Sequence, residues 1–423
     1  MPQYMTPGVY VEEVSRGPRS IEMVGTSTCA FLGVAPDAAA FAHEPKAINN
    51  WSQFVRTFAS VKEPRSTHLA QAVFSFFENG GSRCFVVNVG SSGQIAGKVT
   101  GGQRQGIAAL EAVDEVAIVA APGYTDPGSY EVVLSHCERA RDRFAVLDCP
   151  EELESFENLA EVATAEVSPR PRGGGGGGGG GPPGAGAGGE ERPEPPPPRQ
   201  KAYRSRRSSY GAYYAPWVTA PDPFDPGRLI NIPPSGAIAG IYARTDATRG
   251  VHKAPANEIV RGALNVAYRI TREDQGPLNQ AGVNVIRFFP GDGIRVWGAR
   301  TLDDGEWRYI NVRRLFNMVE ESIARATRWV VFEPNDITLW FSIIRDLTNF
   351  LTRLWRDGAL MGRTPAQAFF VKCDEETNPP EEIDAGRVNV LIGIAPVKPA
   401  EFIVFKIGQH QSGTEVTEGT RNA

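Results

Sequence analysis

Residues 115–148 read EVAIVAAPGYTDPGSYEVVLSHCERARDRFAVLD, and the fold is decided by how the pattern changes along this stretch. Val116 to Ala121 is an apolar run of strand length, stopped by Pro122-Gly123. The spacing then predicts a helix over Ser129 to Arg141, and Phe144 to Leu147 is apolar again. Strand, helix, strand is the alternation of an α/β layer with a parallel sheet.

The reading extends in both directions. Upstream, Thr28 to Val34 is predicted as a buried strand, and Arg83 to Val89 as the next. Between them Ser66 is placed to cap a helix with the stripe Leu69, Val73, Phe76 and Phe77, ended by Gly80-Gly81. At the N-terminus Pro7-Gly8 forbids a helix start, and Val9, Tyr10, Val11 and Val14 favour an extended arm. Downstream, ordered sequence resumes at Tyr210 to Thr219, and Ser235 is placed to cap a helix through about Arg244. Asn284 to Phe289 and Ile294 to Trp297 are strands around the turn at Pro290 to Gly293. Two helices follow, one carrying Leu315, Val319 and Ile323, the other starting near Asn335 or Asp336 and stopping at Gly358. Three strands close the chain: Ala368 to Lys372, Val388 to Ile394 and Phe402 to Ile407.

Composition narrows the function. The 423 residues are 41% hydrophobic, ample for sizeable cores, and the net charge of -5 provides no basic field for nucleic acid. The cysteines (29, 84, 137, 149 and 373) are odd in number and contain no CxxC pair, as expected of free thiols in a reducing compartment. Residues 1–8 show neither a basic nor an apolar leader, and no apolar run is long enough to span a bilayer. The expectation is cytoplasmic synthesis without membrane insertion. Residues 168–207 include nine consecutive glycines, Gly173 to Gly181, followed by Pro, Ala and Glu; this composition implies a mobile surface insertion.

No catalytic or cofactor motif survives scrutiny. Gly93 to Val99 has three residues between its glycines where a phosphate loop has four, and Val99 stands where a Ser or Thr would meet magnesium. His43, His68, His136, His252 and His410 include no pair at metal-ligand spacing, and neither GxSxG nor a strand followed by GxGxxG is present. His136 and Asp148 are the pair from which a hydrolase triad would have to be built, and chance supplies such pairs in any α/β domain. The expectation is a protein with no cofactor, no metal and no catalysis.

The informative stretches are long and poor in reactive groups: YGAYYAPW (210–217), PPSGAIAGIYARTD (233–246), RGVHKAPAN (249–257), LNQAGVNVIR (278–287), VWGART (296–301) and APVKPAEF (395–402). With PGVYVEE (7–13), Thr26 to Thr28 with Phe31 to Gly33, and FENGG (77–81) with Arg83 to Val87, they resemble the contractile tail sheath family. The resemblance implies a mixed α/β fold in which N- and C-terminal parts form an inner domain, with an outer domain of subtilisin-like topology. The implied layout is an arm at 1–25, a first inner part at 26–92, the outer domain at 93–295 interrupted by 168–207, the tube-facing C-terminal domain at 296–408, and a polar tail at 409–423.

It further implies six-fold rings stacked around an inner tube, with baseplate and terminator proteins of the same particle as partners, and contraction from a metastable state. Such particles are phage tails or tail-like injection systems, assembled in the cytoplasm. Strands exchanged between subunits fall on Val9, Tyr10, Val11, Glu12, Phe402, Ile403, Val404 and Phe405. Asp246, Arg249 and Lys253 are candidates for salt bridges between subunits or within one, in a loop constrained by Gly250 and Pro255. Arg345, Arg353 and Arg356 are candidates for the tube-facing side, or else form a solvated helix face. The competing readings are a degenerate subtilisin-like hydrolase and a non-contractile, strand-exchanged surface or capsid protein.

Overall fold

The computed structural model describes residues 20–163 and 202–403. Val9, Tyr10, Val11, Glu12, residues 168–201 of the expected insertion, Val404 and Phe405 lie outside them, whereas 202–207 do not form part of a mobile surface insertion: Arg204 bridges to Val162, and Arg204 and Ser205 are buried.

A nine-stranded sheet forms the body, in the order 258–259, 293–296, 283–289, 211–215, 144–148, 118–120, 29–33, 84–88 and 46–48. The six strands from Val283–Phe289 to Cys84–Asn88 are parallel, and antiparallel strands close both edges. The apolar runs around residue 118 and residue 144 are thus neighbouring parallel strands, joined by helix Pro127–Ala140 with Asp126 as its cap. Alternate residues serve opposite faces. Phe31, Ile118, Phe144, Val146, Ala212 and Tyr214 pack under helices His68–Glu78 and Ser235–Arg249. Ala30, Leu32, Val119, Ala145, Leu147 and Tyr213 pack against Pro127–Ala140 and the helix Arg272–Gln280.

The two helices on the first face meet backbone to backbone. A Cβ at Gly236 would lie 2.3 Å from the Ala72 carbonyl oxygen, and one at Gly240 would lie 2.5 Å from that of Phe76. Only glycine permits this approach.

A third cluster joins helix Ile310–Ala326 through Leu315, Met318 and Val319 to helix Ile337–Arg356 through Trp340, Ile343, Leu347 and Leu351. Ile21 is buried in it, and Val24 packs against it. Among the described residues, the N-terminal contribution to the C-terminal core is therefore Ile21 and Val24. Residues 26–92 place their strands in the main sheet, so a boundary at 92/93 does not divide the fold: Cys29–Gly33 hydrogen-bonds to Ile118–Ala120.

Other expectations change locally. Thr67, not Ser66, accepts from the Ala70 N–H and caps the helix ended at Asn79-Gly80. Ser235 starts its helix without capping it, because its hydroxyl is engaged elsewhere. Glu401, Phe402 and Ile403 are in no strand.

Candidate interaction surfaces

Asp246 lies near the end of helix Ser235–Arg249 and faces Arg314 on Ile310–Ala326. The pair is bidentate, at 2.6 and 3.1 Å, with side chains 6% and 3% exposed. Thr26 Oγ1 donates to Asp246 at 2.6 Å, Arg314 donates to the Thr26 carbonyl at 3.0 Å, and the guanidinium lies 4.6 Å from the Tyr242 ring centroid. Asp246 thus ties the N-terminal segment to two helices inside one subunit. Lys253 is also used internally, donating to the carbonyls of Ala254 and Ala256 at 2.6 and 3.2 Å. Arg249 is exposed.

The three arginines of helix Ile337–Arg356 separate. Arg353 donates to Ser20 Oγ and the Ile21 carbonyl at 3.2 and 3.4 Å, Arg345 pairs with Asp346 at 3.0 Å, and Arg356 is exposed. Near its tip, Phe332 and Phe341 are exposed.

Two features bear on strand exchange. Phe369–Lys372 and Leu391–Ile394 form an antiparallel pair with no third strand among the described residues, and Phe370 and Leu391 are half exposed. Beyond it, Arg300 clamps Glu401 with bonds of 2.9 and 2.6 Å, and Asn311 donates to the Val397 carbonyl at 3.0 Å. Phe402 and Ile403, 75% and 74% exposed, continue outward from that clamp. Sequence reasoning missed Arg300; its partner is 101 residues away.

The His136–Asp148 pair that a hydrolase would have needed does not form. His136 sits 2.9 Å from Arg143, and burial followed by that positive charge holds it down at about 4. Asp148 accepts from the Ser235 N–H and hydroxyl, both at 2.7 Å, and from the Gly123 N–H at 3.1 Å; burial lifts its carboxyl to about 6 despite these donors. His68 borders this group: a Cβ on Gly123 would fall 2.2 Å from its Nδ1, and its ring packs edge-on against Trp217. Ser235 is fully buried and gives its proton to a carboxylate rather than to an imidazole, so it is not presented as a nucleophile. Among the described residues no cluster of His, Cys, Asp or Glu is placed to hold a metal ion, and no helix is long and apolar enough to cross a membrane.

Comparison with known proteins agrees with this architecture. Residues 199–302 match the phage tail sheath protein central domain, and residues 303–409 match the phage tail sheath C-terminal domain. The tail sheath protein of Vibrio phage KVP40 is 30% identical over 179 residues, 41% of this chain and 26% of that protein. Matches to the curated relatives span only 26% to 45% of their length. Solved structures match nearly end to end. The anti-feeding prophage helical sheath in its contracted state is 30% identical, with 96% of this chain and 100% of that chain covered and a TM-score of 0.70. The sheath complex of an extracellular contractile injection system, PVC, also contracted, is 28% identical, with 97% and 99% covered and a TM-score of 0.73. The chain belongs to the contractile tail sheath family, a family of structural proteins.

Proposed function

We propose that the chain polymerises as stacked six-fold rings around an inner tube and contracts from a metastable extended state to drive that tube through a target envelope. The observation that carries this reading is the end-to-end similarity to two sheaths described in contracted states. The subunit is a component of a phage tail or tail-like particle assembled in the cytoplasm. Its partners are further copies of itself, the tube protein, and the baseplate and terminator proteins.

The two-stranded sheet favours linkage by strand addition. Among the described residues no third strand covers its outer edges, and the sequence after Ile403 continues as Val404-Phe405-Lys406-Ile407, suited in composition to add to such an edge on a neighbour. Each added main-chain hydrogen bond contributes about 1 kcal/mol net and survives rigid-body rotation of the domains it joins. Contraction then needs no bound fuel, because the extended polymer is held by a kinetic barrier above a better-packed form.

Electron microscopy of the chain co-expressed with a tube protein and baseplate tests the reading. Hollow, striated, six-fold tubes are expected, and a chain cut after Ile403 should remain unpolymerised. Monomers alone from the full chain would overturn the sheath assignment, whereas normal tubes from the shortened chain would overturn C-terminal strand exchange only.

A further inference from the structure

A small cleft of about 90 Å³ lies between the C-terminal end of helix Arg272–Gln280 and the turn at 303–308. Arg204, Arg207, Arg300 and Arg308 line it, with Asp303 and Asp304. Two of the arginines are neutralised: Arg207 pairs with Asp304 at 2.8 Å, and Arg300 is clamped to Glu401. Arg204 and Arg308 have no carboxylate partner among the described residues. Among the described residues Arg308 reaches only the Asp304 carbonyl, at 3.3 Å through Nε and 2.8 Å through Nη2. Arg204 is the informative one. It is 9% exposed, it donates to the Ala281 carbonyl through Nη1, and its Nε has no acceptor among the described residues.

A buried guanidinium with an unmet donor is costly, because desolvation has not been offset by a charge or a hydrogen bond. We infer that this cleft is an oxyanion-binding site, in which Arg204 and Arg308 hold a phosphate-like or carboxylate group. The planar fork of a guanidinium matches both chemistries. Burial, followed by the positive charge of Arg207, lowers the Arg204 pKa, the direction expected of a cation waiting for a counter-ion. Asp303 and Asp304 keep the entrance close to neutral, so a compact anion that reaches the arginines is favoured over a diffuse polyanion. The inference concerns the isolated subunit and does not depend on polymerisation.

Titration calorimetry of the full chain with inorganic phosphate, against sodium chloride at equal ionic strength, tests it. Saturable binding is expected, weakened roughly tenfold by Arg308→Ala and by Arg204→Met. Arg308 is exposed, so R308A remains informative if R204M fails to fold. Arg139→Ala, whose side chain is 69% exposed on another helix, should leave binding unchanged. Acetate that competes with phosphate would identify a carboxylate as a fitting occupant, and phosphate binding indifferent to acetate would restrict the site to phosphate-like ions. No saturable binding beyond chloride, or equal binding by wild type and R308A, would overturn the assignment.

Discussion

Replacing Asp246 by Asn tests whether the buried Asp246–Arg314 pair organises the subunit. The substitution preserves shape but leaves the Arg314 guanidinium, 3% exposed, without a counter-charge. The Thr26 carbonyl and the Tyr242 ring remain as its neighbours, and neither carries a full negative charge. Removing one member of a buried pair costs about 3–5 kcal/mol, mostly from the charge left behind. Asp246→Asn and Arg314→Met should each fall in that range. The double variant Asp246→Leu with Arg314→Met should cost at most about 2 kcal/mol, because it leaves no buried charge unpaired and strips partners only from the partly exposed Thr26 hydroxyl and carbonyl. Urea unfolding of the unpolymerised chain measures this, and amide exchange over residues 20–28 should rise first, since Thr26 loses its anchors. An Asp246→Asn cost below about 1 kcal/mol, or a double variant as costly as the two singles summed, would refute the reasoning.

The other expectations are narrower. Between pH 6.5 and 4 two buried groups oppose each other. His136, held at about 4 against an ordinary 6.5, takes its proton first in the unfolded chain, so acidification removes about 3 kcal/mol of stability. Asp148, raised to about 6 from 3.8, takes its proton first in the folded chain, so acidification adds about 3 kcal/mol. Asp148→Asn should therefore lose stability on acidification more steeply than wild type, and His136→Gln should gain; parallel curves for all three proteins would contradict both assignments. Gly236→Ala places a methyl carbon where the Ala72 backbone lies and should cost about 1–3 kcal/mol or more, read as a lowered melting temperature. Glu401→Gln weakens the Arg300 clamp, and limited proteolysis within 395–403 should speed up roughly tenfold, the equivalent of about 1.4 kcal/mol.

The central layers were legible because their signals are local. The apolar strands at 118–120 and 144–148, the cap at Asp336 and the stop at Gly358 each lie within a few residues of what they control. Helix Trp51–Phe58 was overlooked at eight residues, although Asn50 accepts from the Gln53 N–H as a cap should. Helix Arg272–Gln280 was hidden by Gly276 and Pro277; its reciprocal capping by Thr271 and Asp274 was the available signal. Tertiary pairings were not legible. Asp246 was singled out, yet its partner is 68 residues away, and Asp148 found Ser235 at a separation of 87 rather than the nearby histidine.

The seam at Gly236 and Gly240 has a mechanical consequence. Two helices in van der Waals contact along their backbones mesh like a shaft and its key, because the long side chains that would act as a compliant cushion are missing there. A thrust on either helix reaches the other without slack, and the sheet beneath moves with them as one stiff plate. Strain placed on such a plate is therefore taken up outside the Gly236 and Gly240 seam, where long side chains separate the packed elements.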